Sequence, residues 1–544
     1  MNQPLSFGRQ TLAWQLLAYV LAAIVAMPII FVVLQWATLG NGEQEIWQHL
    51  LATDLTRLAG NTLILLAGVS VLVTVLGVGL AWLVSMCRFP GRRFFEWALM
   101  LPLAIPGYVM AFVFLANFTY SGPIQTTLRS WFGSDVWFPD VQSAAGVILV
   151  MSLVLYPYVY MLARAAFMAQ GRNMMDAARI LGQGPWTAFF QVALPVARPA
   201  IAGGLALALM ETLADFGAVS VFNFDTFTTA IYKAWYGLFN LQVAAQLASL
   251  LLLFVAVTLT LEHYSRKQAR YYSNGKSQND KPYQLSVKQA WLACSCCLLV
   301  LGFAFVLPCA QLVLWVLRTG LAELDARYLD FLIHTLLLAS GAALLAALFA
   351  LLLGFIKRLP SKGSNMIWQQ RSIRLATLGY ALPGSVLAVG IMLVGTWIDK
   401  GFMLAFGVQL MFVGSLLALL LAYVTRFLAV AYAPVDSALE RIRPSMLEVA
   451  RSLGARPLRL LSHIYIPMLK PGLLTALILV FVDVMKEMPA TLIMRPFGWD
   501  TLAVRIYQMT TEGQWERAAL PALTLLLAGL IPVLLLVRNS AKQA

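Results

Sequence analysis

Runs of roughly 20 or more almost uninterrupted apolar residues recur along this chain, the length that a helix rising about 1.5 Å per residue needs to cross a hydrocarbon layer about 30 Å thick. Short charged loops separate them. Lipid offers the backbone no water, so each run must satisfy its own peptide groups, and a helix does this within one segment. Strands of a membrane barrel would alternate apolar and polar residues over about ten positions; these runs are continuous. The chain therefore reads as an all-α polytopic membrane protein of about 12 transmembrane helices. The predicted spans are Trp14–Thr38, Asn61–Met86, Ala98–Phe118, Ala144–Phe167, Ala200–Phe222, Leu241–Leu261, Trp291–Leu317, Phe331–Phe355, Leu375–Ile398, Phe402–Val430, Pro471–Met494 and Ala518–Val537. The first run is longer than a signal-peptide core and is expected to be retained as a helix.

Charge placement sets the expected orientation. Only 11% of the 544 residues are charged, yet the formal net charge is +14. Lys and Arg resist translocation, and they concentrate in loops on the N-terminal side of the membrane, which puts both termini in the cytoplasm. The positive balance is thus topology and no sign of a nucleic-acid partner; the lipid bilayer is the partner it implies. Five cysteines, Cys87, Cys294, Cys296, Cys297 and Cys309, have no second Cys or His cluster with which to close a tetrahedral shell. They read as packing residues, and no metal ligand is assigned.

The chain is one unit written twice. DAARILG at 176–182 aligns with EVARSLG at 448–454, and ALPVARP at 193–199 with YIPMLKP at 465–471, both at an offset of 272 residues. NTL at 61–63 matches HTL at 334–336, and IPG at 105–107 matches LPG at 382–384. Six spans separate the two copies, an even number of crossings, so the repeats are parallel and related by an axis along the membrane normal. The expected domains are a first six-helix repeat over 1–261, a polar and basic cytoplasmic linker over 262–289, and a second repeat over 290–544.

Each repeat carries a long basic loop between its fourth and fifth spans, at 170–198 and 436–470. Within it stand an acid, an alanine two residues on, a glycine and a later proline: Asp176, Ala178, Gly182 and Pro195, then Glu448, Ala450, Gly454 and Pro467. A glycine after an Ala-rich turn stops a helix, and the proline is expected to end the short helix that follows. The product is a helix–turn–helix knob. This pattern resembles the EAA loop of binding-protein-dependent ABC importer permeases, and two copies in register with a plan of twice six helices are similar to the type I importer architecture. The resemblance implies that the acid and glycine of each loop dock on a partner ATPase.

No phosphate-cradling loop is present to make the chain its own motor. Gly275, Lys276 and Ser277 match only the end of G-x-x-x-x-G-K-[ST], and Arg270 occupies the position of the first glycine. The chain is therefore expected to be no enzyme and to bind no cofactor directly. ATP and Mg would enter through two copies of a cytoplasmic ABC ATPase.

Ionisable residues inside the apolar runs mark the candidate path, because charge at that depth is costly and faces a cavity or a partner. Glu211 and Asp215 lie four apart on the fifth span and share a helix face; Asp483 and Glu487 do the same on the eleventh, with Lys486 beside them. Gly217 and Pro489 follow at equivalent positions and are expected to kink each helix into a gate. These acids either tie the repeats together or line the pathway. The segments beyond them, FGAVSVFNFDTFTTAIYKAWYG at 216–237 and KEMPATLIMRPFGWDTLAVRIYQ at 486–508, resemble ferric-iron importer permeases, and that resemblance covers essentially the whole chain. It implies an inner-membrane permease that receives ferric iron, a hard cation suited to oxygen ligands, from a periplasmic solute-binding protein. The same plan serves thiamine, polyamine, sulfate and phosphonate permeases, and a proton-coupled secondary transporter is the reading outside the class.

Overall fold

The computed structural model describes residues 4–37, 40–134, 136–170, 184–267, 283–319, 324–358, 364–408, 410–440, 442–453, 455 and 457–543. Among these, ten helices are long and apolar enough to cross a membrane, and a pair bent by 94°, Arg92–Ala104 with Gly107–Phe132, makes an eleventh if it counts as one span. The last expected crossing corresponds to the helix Ala519–Gln543, whose apolar part is the shorter stretch Ala519–Pro532.

Three departures from the expected spans have local causes. The expected span Ala98–Phe118 is broken at Ile105–Pro106, where Ile105 is extended at ψ 121°; a proline ring excludes the helical region from the residue before it and removes one amide donor. The expected Leu375–Ile398 is broken in the same way at Leu382–Pro383, with Leu382 at ψ 128°. Third, the charges at Asp399 and Lys400 do not end a helix. Gly384–Phe406 runs through them and stops at Gly407, whose φ of 68° lies in the left-handed region that glycine adopts freely. The Asp399 carboxylate instead accepts hydrogen bonds from the amides of Phe412 (2.8 Å) and Val413 (3.2 Å), bracing the loop before Leu416–Leu439.

The chain forms two compact units, and each draws on both halves of the sequence. One comprises Met1–Trp47, Ile231–Ser249 and Leu324–Arg505; the other comprises Gln48–Ala230, Leu250–Glu323 and Ile506–Ala544. In the first unit the N-terminal helix Pro4–Leu34 packs on Ser364–Ala376 and Gly384–Phe406. Trp14 meets Phe355 edge to face at 5.2 Å, and a Cβ on Gly390 would lie 2.7 Å from the Pro28 carbonyl. In the second unit Leu307–Thr319 packs on Gly107–Phe118 and Ala519–Gln543, with Phe112 stacked on Trp315 at 6.1 Å. There Gly77 and Gly204 flank Val159, each so close that a Cβ would come within 2.7 Å of it. Lipid tails are as apolar as leucine, so close approach at small residues supplies the packing contacts that hold such helices together.

The repeat is visible in backbone detail. Helical turns Pro185–Ala188 and Pro457–Leu460 each pass through a π-helical turn, Phe189–Ala193 and Leu461–Tyr465, into long helices Leu194–Ala214 and Ile466–Lys486. Pro195 and Pro467 sit in the first turn of those long helices. The expectation that these prolines end a short helix is therefore corrected: helical backbone runs unbroken over 185–214 and 457–486, each proline lies inside it, and the amide hydrogen bond that an interior proline removes falls directly after the π turn.

Candidate functional site

Both long helices stop at an acid. In the first half Leu194–Ala214 ends at Asp215, extended at φ −69° and ψ 130°, and the chain re-enters helix at Gly217–Val221. Oδ1 of Asp215 accepts hydrogen bonds from the amides of Ala218 (2.9 Å) and Val219 (3.2 Å), and the Thr228 hydroxyl donates to the Asp215 carbonyl at 2.7 Å. In the second half Ile466–Lys486 ends at Glu487, at φ −69° and ψ 115°, before Pro489–Met494. Glu487 Oε1 accepts from the Ala490 amide at 3.1 Å, and the Thr491 hydroxyl donates to the Glu487 carbonyl at 2.7 Å. Each break frees backbone groups that lipid cannot satisfy. An acid caps the new helix and a threonine covers the exposed carbonyl.

A proline–glycine turn presses on each break. Gly107 and Gly384 open their helices directly after Pro106 and Pro383. A Cβ on Gly107 would lie 3.2 Å from Asp215 Oδ2, whereas one on Gly384 would overlap both Arg426 Nη1 and Glu487 Oε1. Arg426 lies within Leu416–Leu439 and donates from Nη1 to Glu487 Oε1 at 2.9 Å, with both side chains buried. Three residues earlier on that helix, the Tyr423 hydroxyl meets Thr491 Oγ1 at 2.6 Å, also buried.

The polar contacts beyond the two breaks repeat as well. Asn61 donates from Nδ2 to the Asp225 carbonyl at 2.9 Å, and His334 Nδ1 lies 3.3 Å from the Asp500 carbonyl. Arg57 pairs with Asp225, and Arg495 with Asp500.

Of the residues singled out in the sequence, Asp215, Glu487 and Pro489 fall at the breaks, Glu487 buried and the other two half-buried. Glu211, one turn before Asp215, is half-buried, as are Asp483 and Lys486 near the end of Ile466–Lys486. Glu448 and Ala450 lie on the helix Pro444–Ser452, Glu448 exposed and Ala450 half-buried. Asp176, Ala178, Gly182 and Gly454 lie outside the described residues, as does the stretch 268–282 that holds Gly275, Lys276 and Ser277. Cys87, Cys294 and Cys297 are buried, Cys309 is half-buried and Cys296 is exposed. Arg426 was missed. The signal was available, an arginine inside the apolar stretch LLALLLAYVTRFLAVAYA.

Two segments of the chain, residues 73–268 and 350–542, match the family model for the binding-protein-dependent transport system inner membrane component. The chain belongs to that family. It is an inner-membrane, multi-pass permease subunit of an ABC transporter with two copies of the family module, and it works with a binding protein and an ATPase; it is not an enzyme. Among relatives of this permease, the Fe(3+)-transport system permease protein FbpB 2 of Haemophilus influenzae is 27% identical over 540 residues, covering 97% of this chain and 99% of the relative. The molybdenum transport system permease protein ModB of Escherichia coli is 34% identical over 164 residues, 30% of this chain and 70% of the relative. The sulfate transport system permease protein CysW of Escherichia coli is 30% identical over 226 residues, covering 40% and 72%.

Proposed function

We propose that this permease imports ferric iron. The observation that carries the reading is end-to-end similarity, in one chain, to a ferric permease over 97% of its length, where the molybdenum and sulfate permeases match 30% and 40%. The chemistry agrees. Asp215 and Glu487 place carboxylates at the two helix breaks, with Glu211 and Asp483 one turn away, and oxygen donors suit a hard trivalent cation. Iron is cargo here.

A periplasmic binding protein delivers the cargo to the outer loops, and both termini lie in the cytoplasm. Two ATPase copies, holding ATP and Mg, grip the loops that carry Asp176 and Gly182 in one half and Glu448 and Gly454 in the other. The exposed face of Pro444–Ser452 leaves Glu448 open to such a contact. Closure of the ATPases pushes through the π turns into Leu194–Ala214 and Ile466–Lys486, which lead directly to the acidic breaks.

The test is uptake of radiolabelled iron into proteoliposomes that hold the permease and its ATPase, with the binding protein outside. Uptake should require enclosed ATP and binding protein together and should persist when the proton gradient is collapsed. Uptake of molybdate or sulfate with no iron signal would reassign the cargo. Gradient-driven uptake without ATP would overturn the energy source.

A further inference from the structure

We propose that Arg426 is a positioning residue of the transport cycle: with Glu487 it forms a latch that fixes the end of Ile466–Lys486 to the short helix Pro489–Met494 and to the turn at Gly384, so that the second break moves as one rigid piece while the first does not. The proposal rests on the reading of Pro444–Ser452 as an ATPase contact, and not on the identity of the cargo.

Three elements converge on one carboxylate oxygen. Glu487 Oε1 takes the Arg426 guanidinium at 2.9 Å and the Ala490 amide at 3.1 Å, and Gly384 leaves no room for a Cβ against either Oε1 or Arg426 Nη1. The Tyr423 hydroxyl, 2.6 Å from Thr491 Oγ1, fastens the same short helix to Leu416–Leu439 one turn away. Thr491 in turn donates to the Glu487 carbonyl. Two polar fastenings from one helix therefore bracket the break.

The first half is built without the latch. At the repeat offset, Arg426 and Tyr423 correspond to Val154 and Met151. Among the described residues, the hydrogen bonds of the Asp215 carboxylate run to the amides of Ala218 and Val219, so it caps without clamping. Gly107 is the less crowded of the two turns: a Cβ there would lie 3.2 Å from Oδ2, a tight approach but not the overlap found at Gly384. A capped break can flex at its extended residue; a latched one carries its neighbours along.

Stability alone is a poor reason for the pair. A buried ion pair costs desolvation that apolar side chains of the same volume would avoid, and a bilayer makes that cost larger. What charges supply and methyl groups do not is a directional, specific fastening.

The experiment uses the permease assembled with its ATPase in lipid nanodiscs. ATP hydrolysis is measured with and without the binding protein, beside thermal unfolding. The doubly neutral variant Arg426→Met with Glu487→Gln should assemble and melt like the parent, yet lose at least about fivefold of the stimulation by binding protein. Arg426→Lys should keep at least about half. Parental stimulation in the double variant overturns the latch. Failure of the double variant to assemble also overturns it, by assigning the pair to folding, and so does a lysine variant as impaired as the neutral pair. Hydrolysis is read without knowing the cargo, so a parent complex that is stimulated by binding protein but moves no iron sinks the ferric reading alone.

Discussion

Asp215 and Glu487 occupy the same point of one helix break written twice, and each spends a single carboxylate oxygen on capping the helix that follows. Capping and cargo contact can be separated at Asp215. Asparagine accepts the same amide hydrogen bonds, so Asp215→Asn should leave the melting temperature nearly unchanged. Asp215→Ala uncovers two amides in lipid surroundings and should cost roughly 1–3 kcal/mol. If Asp215→Asn melts normally but takes up several-fold less radiolabelled iron, the charge itself serves transport. Undiminished uptake in that variant would restrict Asp215 to capping.

The two glycines that face these acids should respond unequally to the same methyl group. On Gly384 the new Cβ overlaps the Arg426 and Glu487 side chains, which are hemmed in by burial. On Gly107 it falls 3.2 Å from a carboxylate oxygen that can give by a few tenths of an ångström. Overpacking typically costs about 1–3 kcal/mol. Gly384→Ala should therefore lower the melting temperature in detergent well beyond Gly107→Ala, and equal melting would show that the second break relaxes as easily as the first.

Much of this was legible in the sequence, for identifiable reasons. Lipid makes apolar run length nearly sufficient to place a helix, and a repeat offset of 272 residues aligns Asp215 with Glu487 within the sequence itself. What was not legible came from features whose effect depends on contacts distant in sequence. Asp399 reads as a loop charge, because nothing local shows its carboxylate reaching the amides at 412 and 413. Pro195 and Pro467 read as helix ends, because a proline inside a helical pattern usually stops it and only the π turn directly before each shows the helix carried through. Arg426 lies 61 residues from Glu487. Hydropathy averaging absorbs one arginine in an apolar run, and pairing across that distance leaves no periodic trace.

Breaking the Arg426–Glu487 pair from one side should be far worse than removing it from both. Arg426→Met leaves a buried carboxylate without its guanidinium, a loss of about 3–5 kcal/mol. Adding Glu487→Gln returns most of that, since the amide oxygen still accepts from Ala490. The check is a double-mutant cycle on thermal or denaturant unfolding in detergent, where a coupling near zero would mean that the two side chains ignore each other in the membrane.

The helix Pro444–Ser452, proposed above as an ATPase contact, offers the cleanest separation of folding from energy transfer. Glu448 is exposed on Pro444–Ser452, and reversing a surface charge in such a place normally changes stability by no more than about 0.5 kcal/mol. Glu448→Lys should therefore insert and melt like the parent. At an ATPase contact the same reversal replaces attraction with repulsion at close range, which costs several kcal/mol in a partner interface. Copurification of the ATPase should fall by an order of magnitude or more, and ATP-dependent uptake with it. Because each half carries its own loop, Asp176→Lys should impair uptake on its own as well. A Glu448→Lys permease that retains its ATPase and full transport would remove this face from the coupling path.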